Sequence, residues 1–238
     1  MNVVVSIGGS VLAPGDKQRV RDHAAVLEEV ADECTTAAVV GGGETARQYI
    51  DVARKLGANE MELDEIGIAA TRLNARLLVA ALDEQSVRTP PADYEAAADV
   101  LRAGDIAVMG GVVPAQTTDA VAAALAEYVN ADLLVYATSV SGVYTADPDK
   151  DGDAERVPRL TPNELVDLIA DIEMTAGAKA PVDLLAAKVL QRSGLHAVVV
   201  DGTDPERIRE AIVEGTHRGT EIVPEDAAEL PSLTGGGT

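Results

Sequence analysis

Cysteine, the larger aromatics and positive charge are all scarce in this sequence. A single cysteine, Cys34, stands among 238 residues. That excludes a disulfide framework and any metal cluster built from several thiolates, and makes a reducing cytosol the default compartment. Phe and Trp are absent, so the 47% hydrophobic share rests mainly on Ala, Val and Leu. No run reaches the roughly 18 apolar residues of a membrane span, and Met1 opens directly onto a short strand-like run rather than a signal peptide. Lys and Arg total 19 against 40 Asp and Glu, a net charge of −21. A nucleic-acid grip needs a basic stripe, and none can be assembled here.

The acidity is spread along the whole chain, and the cations are mostly Arg. Long Val, Leu and Ile runs remain for a core, so the composition is not that of a disordered chain. Such a surface repels itself in dilute buffer. At about 1 M salt the screening length falls to about 3 Å and the repulsion is largely removed. The composition therefore reads as adaptation to a salt-rich cytosol, as in halophilic archaea, with a merely acidic mesophilic enzyme as the alternative. The length suffices for one sizeable core, as a single large α/β domain or two small ones.

Short apolar runs alternate with helical periodicity. Val3 to Ile7 is a buried-strand run ending in Gly8-Gly9, and Lys17 to Glu33 carries Val20, Ala24, Leu27 and Val30 at helical spacing. A second strand, Ala37 to Val40, stops at Gly41-Gly42-Gly43, and a helix from Glu44 to Leu56 closes at Gly57. A long helix follows over Glu60 to Leu82, then a strand over Ile106 to Met109 ending at Gly110-Gly111, a helix over Asp119 to Val129 and a strand over Leu133 to Ala137. Thr161-Pro162-Asn163-Glu164 is a capping-box start for a helix over Leu165 to Ile172. A late strand at Ala197 to Val200 precedes a helix at Pro205 to Glu214. This alternation implies βαβ crossovers and a mostly parallel sheet covered on both faces, a three-layer αβα sandwich. Asp147 to Pro158 reads as a polar linker too short to separate domains, so residues 1–223 form one domain and 224–238, acidic and then Gly-rich, a frayed tail.

Three glycine clusters share one context, each directly after a strand: Gly8-Gly9-Ser10, Gly41-Gly42-Gly43 and Gly110-Gly111. Any one of them could be an ordinary tight turn. Three on one sheet edge point to a phosphate ligand, because glycine lets backbone N–H groups approach phosphate oxygens at the carboxyl ends of parallel strands. None is a Walker loop and none is G-x-G-x-x-G. Arg47, one turn into the following helix, is placed to reach phosphates. Arg72 and Arg76 are balanced between that role and the surface, and Lys188 and Arg192 read as solvated cations. His23, His196 and His217 lack ligand spacing, so no protein-built metal site is expected, and Cys34 reads as a small buried hydrophobe.

These pieces together resemble the amino acid kinase family, and within it the archaeal-type UMP kinase branch. The resemblance is carried by Ile7-Gly8-Gly9-Ser10-Val11-Leu12, Val39-Val40-Gly41-Gly42-Gly43 with Arg47, Asp64-Glu65-Ile66-Gly67, and Thr71-Arg72-Leu73-Asn74-Ala75. It continues through Val108-Met109-Gly110-Gly111, Thr117-Thr118-Asp119, Gly142-Val143-Tyr144-Thr145-Ala146-Asp147-Pro148, Asp183 to Lys188 and Gly219-Thr220, in family order over nearly the whole chain. It implies the amino acid kinase fold and transfer of a phosphoryl group from MgATP to UMP. Gly9, Ser10, Gly43 and Arg47 would lie against the ATP phosphates, and Thr138, Tyr144 and Asp147 would hold its nucleoside. Gly42 and Asp64 would face UMP, Asp64 through ribose hydroxyls, while Val112, Val113, Pro114, Ala115, Gln116, Thr117 and Thr118 wrap its base and phosphate. Asp183 would order cationic groups and magnesium around the moving phosphoryl, with Mg²⁺ arriving on ATP rather than in a dedicated protein cage.

The resemblance also implies a homo-oligomer, a hexamer, with no nucleic-acid or membrane partner. Two positions depart from the family pattern: Ser6 where many members carry a lysine, and Ser141 where an Asp usually precedes the glycine. Other acceptors within the family, isopentenyl phosphate or acetylglutamate, stay open as alternatives, as does a non-catalytic nucleotide-binding protein.

Overall fold

A computed structural model describes residues 1–82, 89–148, 150–173 and 182–225. In chain order the elements are β1 (Asn2–Ile7), α1 (Gly9–Leu12), α2 (Lys17–Glu33), β2 (Thr35–Val40), α3 (Gly43–Lys55), α4 (Glu60–Val79), α5 (Tyr94–Arg102), β3 (Ala107–Met109), α6 (Thr118–Tyr128) and β4 (Leu133–Thr138). There follow β5 (Val143–Tyr144), β6 (Arg156–Val157), β7 (Arg159–Leu160), α7 (Pro162–Glu173), α8 (Leu184–Ser193), β8 (Ala197–Asp201), α9 (Glu206–Arg209) and β9 (Thr220–Ile222).

Seven strands form one sheet in the order β3-β2-β1-β4-β8-β9-β7. The run from β3 to β8 is parallel, and β9 reverses against β8 and carries β7 beside it. Because β1 is central, both its faces must be apolar. Val3, Val5 and Ile7 look into one core with α2, α4 and α9, and Val4 looks into the other with α6, α7 and α8. This is the expected three-layer sandwich. At about 25 cal/mol per Å² of apolar area removed from water, these two cores supply the main drive to fold.

Caps fix where the helices start. Asp16 accepts from the Gln18 and Arg19 amides at the head of α2, Asn59 and Glu62 form a capping box on α4, and Thr161 and Glu164 form one at α7. Four sequence readings need correction. The linker at Asp147 to Pro158 contains β6, which pairs antiparallel with β5 in a two-stranded ribbon. Helix α5, with β7 and β9, was missed. The long helix read to Leu82 stops at Val79, and the last helix is only α9, which relaxes into a π turn over Glu210–Glu214 before Gly215. The frayed-tail reading falls, past Glu225, outside the described residues. Among the described residues no helix is long and apolar enough to cross a membrane.

Candidate active site

The parallel strands β1, β2, β3 and β4 all end at one edge, and that edge is built around two glycine turns in backbone contact. A Cβ on Gly9 would lie 2.1 Å from the Gly43 nitrogen, and Gly43 itself sits at φ +57° with Gly9 against it. No larger residue fits either place, so the turns after β1 and β2 lock together through main chain alone. Gly41 N donates to Ile7 O at 2.9 Å and Gly8 N to Ala137 O at 3.1 Å, tying both turns to the strand ends.

Side chains from α4 hold these turns from behind. Asn74 is buried and donates to the carbonyls of Gly41 (2.8 Å) and Gly42 (3.1 Å). With those carbonyls engaged, what the second turn has left to offer a ligand is its N–H groups. Thr71 Oγ1 accepts from Gly111 N at 2.7 Å, and Arg72 Nε donates to Gly111 O at 3.0 Å. Arg72 is thereby settled as a clamp on the third glycine turn and on Ala92 O, not a solvated cation. Arg76 is exposed; Lys188 bonds Gln191, and Arg192 pairs with Glu127.

The loop 112–118 is tethered at several points. Ala115 N, from a left-handed residue at φ +63°, donates to Asp64 Oδ2 at 2.8 Å. Thr117 Oγ1 accepts from Ala120 N at 3.1 Å as the N-cap of α6 and donates to Asp183. Asp183 in turn accepts from Ala186 N at 2.9 Å as the N-cap of α8. The two helix N-termini, each carrying partial positive charge, are thus latched together at the sheet edge. Thr118 borders Gly41, Val113 is exposed, and Val112 packs against the core.

Among the sequence-predicted residues, Gly9, Ser10, Gly42 and Gly43 lie in the two locked turns, and Asp64, Thr117, Thr118 and Asp183 join them through the contacts above. Thr138 ends β4, Tyr144 lies in β5 and Asp147 follows it. Thr138 Oγ1 closes a turn on Val140 O (2.9 Å), the Tyr144 hydroxyl meets Ser141 Oγ (2.8 Å), and Asp147 Oδ2 pairs with Lys150 (3.0 Å). Arg47 is not engaged at the turns: its side chain is 60% exposed and pairs with Glu44 at 3.1 Å, which holds the Glu44 carboxyl below its usual range.

Sequence reasoning passed over Asp119. Ser6, the departure from the lysine pattern, is buried and donates to Asp119 Oδ1 at 2.9 Å. Desolvation pushes the Asp119 carboxyl up to about 7, the Ser6 bond opposing and the negative charge of Asp183 adding. Beside Ser6 in register is Tyr136, fully buried, its hydroxyl without a partner among the described residues. Burial, Asp119 and Asp183 all push that phenol well above its ordinary value. Two carboxyl groups therefore back the latched helix starts with no lysine between them.

A hollow of about 440 Å³ opens at the opposite, amino-terminal edge among Asn2, Thr35, Leu101, Arg102, Tyr128 and Asn130. It has no glycine turn and no parallel-strand carboxyl end, so its size does not make it the site.

Nucleotide-type phosphate recognition on a mostly parallel sheet is what this edge offers, and the chain belongs to the amino acid kinase family, whose profile matches residues 1–201. Its relatives narrow the class. A uridylate kinase from Halobacterium salinarum (strain ATCC 700922 / JCM 11081 / NRC-1) is 62% identical, covering 94% of each chain. One from Haloarcula marismortui is 62% identical over 94% of this chain and 100% of its own. Among solved structures, uridylate kinase from Archaeoglobus fulgidus superposes with a TM-score of 0.85 at 44% identity, covering 94% of this chain and all of that one. UMP kinase from Bacillus anthracis, at 23% identity, has the same fold with a TM-score of 0.79, covering 97% of this chain and 98% of its own.

Proposed function

We propose that the chain is a uridylate kinase, transferring the γ-phosphoryl of MgATP to UMP with release of ADP and UDP. One observation carries the reading: two glycine turns locked main chain to main chain, with the Thr117–Asp183 latch bringing two helix N-termini to the same edge. The relatives at 62% identity over nearly the full length support the choice of acceptor.

Phosphoryl transfer asks a protein mainly for in-line placement and for charge compensation. The acceptor is a phosphate already ionised near neutrality, so no general base is required. Gly9, Ser10 and Gly43 would hold the donor phosphates through main-chain N–H groups, and Arg47 would swing from Glu44 to join them. Gly42, Asp64 and loop 112–118 would hold UMP, while Thr138, Tyr144 and Asp147 hold the donor nucleoside. Magnesium arrives as part of the nucleotide substrate, and Asp183 stands where it can order the cationic groups around the moving phosphoryl.

Residues 1–223 would act as one catalytic domain in the cytoplasm of a halophile, and the working form would be a homo-oligomer, a hexamer. The joined faces of α3 and α4 support association, since Tyr49 (65% exposed), Leu56 (83%), Met61 and Leu73 leave an apolar surface uncovered on a highly charged protein. The test is ADP release from MgATP with UMP, CMP, dUMP, isopentenyl phosphate, acetylglutamate or no acceptor, in multimolar KCl and in dilute buffer. Turnover with UMP that collapses in dilute buffer is the expected result. ATP binding without turnover, or turnover with a non-nucleotide acceptor alone, would overturn the reading.

A further inference from the structure

Most side chains of loop 112–118 have no means of reading a base. Val112, Val113, Pro114 and Ala115 carry no polar group, and Thr117 is committed to Ala120 N and Asp183. Thr118 lies against Gly41 in the phosphate turn. Gln116 is left, and its carboxamide is held in a defined sense. The hydroxyl of Tyr94, at the start of α5, donates to Gln116 Oε1 at 3.2 Å. Tyr94 is itself supported by Tyr128, their ring centroids 6.2 Å apart and tilted by 34°. Burial pushes its phenol up, so it remains a donor throughout the neutral range. The preceding residue is pinned separately by the Ala115–Asp64 hydrogen bond. Two adjacent tethers thus fix both the position of the loop and the direction of the amide.

A carboxamide has one acceptor oxygen and two N–H donors. With Oε1 turned to Tyr94 and one of its lone pairs engaged there, the Nε2 hydrogens are what the group turns outward. Turning the amide over would make the Tyr94 hydroxyl accept from Nε2 and leave its own hydrogen without Oε1 to bond. At the position that distinguishes the pyrimidines, uracil presents a carbonyl oxygen and cytosine an amino group. A fixed donor pairs with the first and meets a second donor in the other. We infer that Gln116, oriented by Tyr94, selects uracil over cytosine in the acceptor nucleotide, an inference that rests on the uridylate kinase reading above. Tyr94 is a positioning residue in this scheme, since it acts only through Gln116.

The experiment measures kcat/KM for UMP and for CMP, at saturating MgATP and in multimolar KCl, on the unaltered chain, Gln116→Ala, Gln116→Glu and Tyr94→Phe. The unaltered chain is expected to favour UMP by more than tenfold. Gln116→Ala should cut that ratio at least tenfold and Gln116→Glu at least as much. Tyr94→Phe should cut it about threefold by freeing the amide to turn, with the KM for MgATP unmoved in all three. A general loss of fold would lower both nucleotides together and leave the ratio standing. A UMP/CMP ratio unchanged in Gln116→Ala and Gln116→Glu, or no preference in the unaltered chain, would overturn the inference. Failure of the unaltered chain to phosphorylate either nucleotide would instead overturn the reading beneath it.

Discussion

The turns after β1, β2 and β3 and the segment after β4 lie on the same sheet edge but are held in different ways. The first group is fixed at long range: Asn74, Thr71 and Arg72 reach from α4 to the glycine turns, Asp64 reaches to Ala115, and Thr117 reaches to Asp183 across 66 residues of sequence. The segment after β4 is held mostly by its near neighbours, Thr138 with Val140, Ser141 with Tyr144, Asp147 with Lys150. Its main distant tie is the buried Thr220, which accepts from Val143 N at 2.8 Å and donates to Val157 O at 2.6 Å. The region built by distant contacts is a preformed frame. The region held by local turns and by fewer distant ties, Thr220 and the Gly202 N–Thr138 O bond at 2.8 Å among them, is the one that can adapt to the nucleoside it receives.

Substitutions at the frame should be the most damaging. Gly9→Val places a side chain where a Cβ alone would sit 2.1 Å from the Gly43 nitrogen. Turnover should fall by at least about a thousandfold with a lowered melting temperature, since main chain has no rotamer by which to yield. Near-normal activity in that variant would show that the two turns need not touch.

Next in size is the latch. Asp183→Asn keeps an oxygen for Ala186 N and so keeps the cap, whereas Asp183→Ala removes it at a cost of about 1 kcal/mol. If the carboxylate also serves the moving phosphoryl, both variants lose about a hundredfold or more in kcat and only the alanine variant melts lower. Activity surviving in the Asn variant would reduce Asp183 to a helix cap.

A milder effect is expected in the segment after β4. Thr220→Val removes the partner of a buried amide and of a carbonyl, worth about 1–3 kcal/mol in stability. Because Val143 leads into Tyr144 and Asp147, the KM for ATP should rise several-fold more than that for UMP. Equal shifts in the two would erase the distinction between frame and adaptable segment.

How far this was legible from sequence follows the same division. The apolar runs of β1, β2, β4 and β8, the cap at Thr161 and the three glycine turns are local signals, and they placed the sheet edge correctly. β5, β6, β7 and β9 run for two or three residues, too short for any period to register, and α5 was passed over beside them. The motif Thr71 to Ala75 was visible, yet the work of Asn74 and Arg72 was not, because each acts on a backbone 20 to 39 residues away. Asp119 was likewise in view, but the Ser6 that meets it lies 113 residues earlier.

The smallest effect concerns that pair. A carboxyl raised to about 7 in the folded chain, from the ordinary carboxylate value of 3.8, favours folding below the lower value. It loses that contribution as pH climbs through about 7. Melting temperature in high KCl should therefore decline between about pH 4 and 7, and Asp119→Asn should flatten the decline. An identical slope in the variant would place the titration elsewhere.

The central claim is that this edge, and not the hollow at the other end of the sheet, takes the two nucleotides. Backbone amide NMR during addition of MgADP and then UMP, in multimolar KCl, reads it directly. Shifts at Gly9, Ser10 and Gly43 with the first ligand and at Gly42, Asp64 and Ala115 with the second are predicted, while Asn2, Thr35 and Asn130 stay still. Shifts confined to Asn2, Thr35 and Asn130 would contradict the account.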